Sequence, residues 1–209
     1  AGATVHVHDM TYGERCESTA LWERDPRPTV EEVKVIRAGE IERAITILGA
    51  TADCFDWGDS PLLIDGERQL YVLQAIRVFR PDVILTHWKN DIMHPDHVEA
   101  TRAVLFGCAY CGSRGIETES APLSRPKVYM YETTSGTAPV SRFLPDTYVD
   151  ISDVFEKKQQ ALKELAAQPV LLRSYEVIGR YRAMEANHTA EISGCQYAEG
   201  FVRFGTSSS

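Results

Sequence analysis

Two histidines three residues apart, His94 and His97, bracket Pro95 and Asp96. An imidazole can accept a proton near neutral pH or offer a neutral nitrogen to a metal ion. Proline is suited to the first position of a helix, and residues three apart in a helix share a face, so both rings can point the same way. The positive end of the helix disfavours imidazolium and keeps the rings in the form a metal requires. An isolated pair of this kind also fits surface or capping histidines, with Asp96 as a first-turn acid, because a catalytic metal takes three protein ligands. Location favours chemistry. The pair follows the apolar run Asp82-Val-Ile-Leu-Thr86, with Asp91 between. Ligands of open α/β sheets bind beyond the carboxyl ends of such strands.

Three weaker clusters sit near similar positions. Thr11-Tyr-Gly-Glu14-Arg-Cys-Glu-Ser18 follows an alternating run, Ala3 to His8, and lacks the glycines of a dinucleotide fingerprint or P-loop. Arg37 falls on an otherwise apolar helix face, where a buried guanidinium wants an anionic partner and an exposed one snorkels to solvent. Asp56 and Asp59 flank Gly58 after the next strand, where loop carboxylates commonly form turns. The five cysteines are an odd number without disulfide spacing. Cys108-Ala-Tyr-Cys111 has no second Cys/His pair near it and reads as buried thiols on a helix.

The elements that must position these groups alternate. Strands are expected at Ala3–His8, Ala52–Phe55, Asp82–Thr86, Lys127–Glu132 and Thr147–Ile151. The Asp82–Thr86 strand has the composition of one buried on both faces. Helices are expected from Thr29 as N-cap to Gly49, over Leu70–Phe79, from Pro95 to about Tyr110, from Ser152 as cap to Gln168, and over Ser174–Asn187. This alternation defines an α/β fold with a mainly parallel sheet. The 209 residues suit one medium domain, and 44% hydrophobic with 25% charged residues excludes wholesale disorder. A net charge of −8 argues against nucleic acid as partner, and no apolar run is long enough for a membrane span. The expectation is a cytoplasmic protein, with homo-oligomer formation left open.

Four segments together resemble the PIG-L/LmbE family of zinc-dependent N-acetyl-sugar deacetylases. They are Thr11-Tyr-Gly-Glu14; Arg37-Ala-Gly-Glu40 with Ala44 and Leu48-Gly49; Arg80-Pro-Asp-Val-Ile-Leu-Thr86; and His94-Pro-Asp-His97. Tyr197-Ala-Glu-Gly-Phe201 resembles the family's C-terminal motif. The resemblance implies a Rossmann-like three-layer sandwich over residues 1–205, with 206–209 as a disordered tail. It implies Zn2+ as cofactor, His97 as a zinc ligand, His94 oriented by Asp96 at the reacting centre, and Arg37, Asp59 and Glu14 at the substrate. The implied reaction is removal of an acetyl group from an N-acetylated small molecule.

Two departures qualify that expectation. The family's opening strand, ending in a His-Pro-Asp-Asp type motif with two zinc ligands and the general base, has no counterpart here. His6 and His8 share a strand face but are misplaced to replace it, so a first strand and helix of about 30 residues, the size of one βαβ step, are expected upstream. The segments Gly13–Trp22 and Phe55–Leu62 look especially like the family's 4-oxalomesaconate hydratase branch, which adds water across a double bond. The His94-Pro-Asp-His97 motif has the deacetylase form. A polycarboxylate substrate would need several cations, for which Arg15, Arg37 and Lys89 are available.

Overall fold

A computed structural model describes residues 2–133 and 141–205. In chain order the elements are β1 (His6–Asp9), α1 (Thr19–Trp22), α2 (Val30–Leu48), β2 (Thr51–Cys54), α3 (Gly66–Phe79), β3 (Val83–His87), α4 (Pro95–Tyr110), β4 (Lys127–Tyr131), β5 (Thr147–Asp150), α5 (Phe155–Glu164), α6 (Val170–Thr189) and β6 (Ala198–Phe204). The fold is α/β with mostly parallel pairing, as the alternation predicts. β1 and β2 pair in parallel, as do β3 and β4, whereas β6 runs antiparallel to β4. Strand order is β1-β2 in one sheet and β3-β4-β6-β5 in the other. The chain divides into two compact units, Ala1–Leu62 with Val149–Glu199, and Leu63–Tyr148 with Gly200–Ser209. The terminal segment 206–209 lies outside the described residues.

In the first unit, α2 begins with a reciprocal cap. The Thr29 hydroxyl accepts from the Glu32 N–H at 3.3 Å, and the Glu32 carboxylate accepts from the Thr29 N–H at 2.7 Å. Glu31 and Glu32 complement the positive end of the helix, and Gly49, at φ +75°, takes the left-handed conformation that ends it. Helix α2 lies against α5. Leu21, Val33 and Ala167 form a core cluster here with Trp22 and Ile36.

In the second unit, α3 and α4 approach at Gly107, where a Cβ would come within 2.7 Å of Ile76 Cδ1. Arg77 is buried and donates to the carbonyls of Cys111, Ser113 and Ile116, closing the C-terminal end of α4. Cys108 and Cys111 are buried, and burial pushes the Cys108 thiol up to about 12, so these thiols are inert packing groups. Trp88, Met130 and Phe143 form the core cluster beside the β3–β4 pair.

Several element ends shift by a few residues, among them α5, which stops at Glu164 rather than Gln168, and four further details differ from the sequence expectation. β3 leaves Val83 and Leu85 about half exposed: α4 packs on the face where Thr86 is buried and meets Thr101, and Val83 and Leu85 lie on the other face. Ser152 does not cap α5. Its hydroxyl bonds the Asp150 carboxylate and accepts from the N–H groups of Gln196 and Tyr197, so a 3-10 turn, Ser152–Val154, precedes the helix. The last helix extends past both expected ends, to Val170 and Thr189. Finally, Tyr197–Phe201, read only as a motif, leads directly into and largely forms strand β6.

Candidate functional site

The second unit places the histidine pair where the sequence predicts. β3 ends at His87, a loop carries Trp88 to Met93, and His94 occupies the N-cap position of α4 with Pro95 behind it. Two tight turns wind the loop into the helix: the Asp91 N–H donates to the Trp88 carbonyl at 3.1 Å, and the His94 N–H to the Asp91 carbonyl at 2.9 Å. The rings of His94 and His97 stack at 3.9 Å, and those of His97 and His87 at 4.0 Å, so three imidazoles form one column.

Asp91 organises this column. It is fully buried, and its Oδ2 lies 2.8 Å from His97 Nδ1 and accepts from the Thr133 hydroxyl at 2.6 Å. Its second oxygen, Oδ1, is buried without a hydrogen-bond partner. A carboxylate holding Nδ1–H fixes the imidazole as the tautomer whose Nε2 carries the lone pair, the usual arrangement behind a metal-ligating histidine. The Thr101 hydroxyl also ties α4 back to the His87 carbonyl at 3.0 Å. Asp96 stands in the first turn of α4, three residues before Glu99, while the carboxylate bonded to the pair's second ring is Asp91. Sequence reading noted Asp91 only as a neighbour. The signal was its place in a strand-exit loop six residues before His97.

The first unit brings Glu14, Asp59 and Arg15 together and links Arg37 to the same loop. Asp59 is buried, and its carboxylate accepts from the backbone N–H groups of Arg15, at 3.0 Å, and Cys16, at 3.2 Å. Glu14 is fully buried: Oε1 accepts from the Asp59 N–H at 3.2 Å, and Oε2 has no hydrogen-bond partner. Arg15 remains half exposed, with Nη1 donating to the Asp59 carbonyl at 2.9 Å. Gly13, at φ +65°, makes the turn, and a Cβ there would meet Glu17 Oε2 at 3.0 Å.

Arg37 is buried rather than snorkelling. Nε donates to the Tyr12 carbonyl at 3.0 Å, Nη1 to Glu40 at 2.7 Å and Nη2 to Gln168 at 3.1 Å. Glu40 in turn accepts from the Ala167 N–H at 2.9 Å. Three of the five guanidinium donors therefore hold the Tyr12 carbonyl and the α2 and α5 flanks in place.

Asp9 ends β1 just before this loop. Burial pushes its carboxyl from 3.8 up to about 6, against the pull of Arg37 and with help from the charges of Asp53 and Glu17. A carboxyl raised on folding contributes stability below its unfolded value that is lost as pH rises through the folded one. Asp9→Asn is therefore expected to melt above the parent at pH 7.5, by on the order of 2–3 kcal/mol in stability, and to lose that advantage near pH 3.5. Thermal melts at the two pH values check it. A gap independent of pH would contradict the burial argument.

With this geometry in place, comparison with known proteins is informative. Residues 1–106 match the PIG-L family, GlcNAc-PI de-N-acetylase, and the chain belongs to it. It is an enzyme of the PIG-L superfamily, which acts on small molecules and includes deacetylases and a hydratase. It is 30% identical over 202 residues to 4-oxalmesaconate hydratase of Pseudomonas putida, covering 95% of this chain and 77% of that protein. It is also 30% identical over 182 residues to diacetylchitobiose deacetylase of Thermococcus kodakarensis, covering 83% of this chain but only 64% of that protein. The crystal structure of GalB, the 4-carboxy-2-hydroxymuconate hydratase of P. putida, superposes on the entire chain with a TM-score of 0.91 at 28% identity and covers 87% of its own chain. Among the described residues no helix is long and apolar enough to cross a membrane.

Members of this family are often metal-dependent. The second unit fits such an ion: an imidazole backed by a buried carboxylate, with a second imidazole stacked beside it, is a donor set suited to zinc-like cations.

Proposed function

We propose that this protein is a metal-dependent hydratase that adds water across the carbon–carbon double bond of an unsaturated polycarboxylic acid. What carries the reading is the superposition of the whole chain on a hydratase with a TM-score of 0.91. The sequence match to the P. putida hydratase over 95% of the chain supports it.

Zinc is the proposed ion, with His97 as one of its ligands through Nε2. When bound, the ion would lower the pKa of a water molecule and polarise a substrate oxygen. Asp91 holds His97 in the ligating tautomer. His94 is the group proposed to move a proton, taking it from water as the new C–O bond forms and delivering it to the neighbouring carbon. Glu14 and Asp59 shape the Gly13–Ser18 loop beneath Arg15, and Arg37 fixes its Tyr12 end. The Asp96 carboxylate complements the positive start of α4 and so steadies the turn that carries the pair. The proposed location is cytoplasmic.

The second reading is an N-deacetylase, favoured by the His94-Pro95-Asp96-His97 motif. The experiment is a paired assay of the zinc-loaded native protein. Loss of ultraviolet absorbance from a conjugated unsaturated tricarboxylic acid reports hydration; acetate released from diacetylchitobiose reports deacetylation. Hydration alone is expected. Acetate release without hydration would replace the first reading by the second, and activity in neither assay would remove both.

A further inference from the structure

We infer that the first unit carries a separate binding site for a divalent transition-metal ion, formed by His6, His8 and Asp53 on the β1–β2 pair. The residues are placed by strand geometry. Successive side chains alternate across a strand, so His6 and His8 share a face. Parallel register sets His6 opposite Thr51 and His8 opposite Asp53, which puts Thr51 and Asp53 on that face as well.

The three side chains already converge. His8 Nδ1 lies 2.6 Å from Asp53 Oδ1, and His6 Nε2 lies 3.3 Å from Asp53 Oδ2. One donor atom from each residue falls within 4.8 Å of the other two. Ligand atoms around a tetrahedral ion with bonds of about 2.0–2.1 Å sit roughly 3.3 Å apart, so small torsional adjustments admit an ion in place of the hydrogen bonds now joining the three groups.

The rings are also oriented from outside the cluster. The Thr51 hydroxyl lies 2.6 Å from His6 Nδ1, which aims Nε2 at Asp53. The His8 ring rests against Phe55, centroids 5.3 Å apart, with the two imidazoles edge-on at 4.4 Å. A hydroxyl on the far nitrogen is the outer support typical of ligating histidines. Two imidazoles and one carboxylate suit zinc, nickel or copper rather than magnesium or calcium, which prefer all-oxygen ligation. The side chains of His8 and Asp53 are 32% and 53% exposed. This site is independent of His94 and His97 and of the proposed hydratase reaction.

The test uses Zn2+ alone as the probe, with stoichiometry by elemental analysis after dialysis and melting temperature with and without the ion. The variants are His8→Ala, the near-isosteric Asp53→Asn, and His97→Ala. His8→Ala and Asp53→Asn are each expected to bind one zinc equivalent fewer than the parent. His97→Ala is expected to keep that equivalent and its zinc-induced rise in melting temperature. Cobalt substituted in His97→Ala should give visible d–d bands that Asp53→Asn abolishes in the same background. Unchanged zinc stoichiometry in folded Asp53→Asn, or no zinc retained by His97→Ala, would overturn the proposal.

Discussion

Replacing His97 by alanine is expected to remove the metal equivalent associated with α4 and to abolish activity, whereas His94→Ala keeps that equivalent and loses about 10²–10⁴-fold in kcat, the scale of a proton-transfer group. The asymmetry follows from the second unit's geometry. Asp91 bonds His97 Nδ1 and so prepares Nε2 as a ligand, while His94 stands at the N-cap without a side-chain capping bond. Counting metal in an Asp53→Asn background separates this equivalent from the one inferred on β1 and β2. Equal zinc content with and without His97 in that background would show that it is not a ligand. Full activity in His94→Ala would remove it from proton transfer.

The second large effect is on stability. Arg37→Ala is expected to cost about 3–5 kcal/mol, the range for breaking a buried ion pair, and to lower the melting temperature by roughly 6–20 °C. The mutation leaves the buried Glu40 carboxylate with the Ala167 N–H but without its cation, and it also releases Gln168 and the Tyr12 carbonyl. Sequence reasoning leads to another outcome, a rise in KM without unfolding, because it treats the α2 position of Arg37 as a face that tolerates a small apolar residue. Calorimetry with steady-state kinetics distinguishes the two. An unchanged melting temperature with an elevated KM would return Arg37 to direct substrate contact.

Much of the local structure was legible because its causes are local. Thr29 and Glu32 lie three residues apart and cap α2 by themselves, Gly49 ends it, and Pro95 starts α4. The run from Asp82 to Thr86 is short, apolar and followed by a loop, which identified both the strand and the loop that leaves it. The histidine pair was found for the same reason: three residues of helix bring His94 and His97 side by side wherever the helix lies.

What the sequence left open depends on partners distant along the chain. Asp91 became the carboxylate behind His97 because Thr133, 42 residues later, supplies its second bond from beyond β4. β6 was read as a motif because its pairing with β4 lies some 70 residues away and leaves no local trace. Gln168, which holds one end of the Arg37 guanidinium, lies 131 residues further on, and His6 and His8 had no evident third partner until β2 brought Asp53 alongside. The sequence by itself determined the alternation of elements, the caps and the identity of the donor groups, all fixed within a few residues by backbone sterics and hydrogen bonds. Only the tertiary structure decided which donors share a proton or could share an ion, because that depends on distances of about 3 Å between side chains whose positions in the chain carry no information about their separation in space.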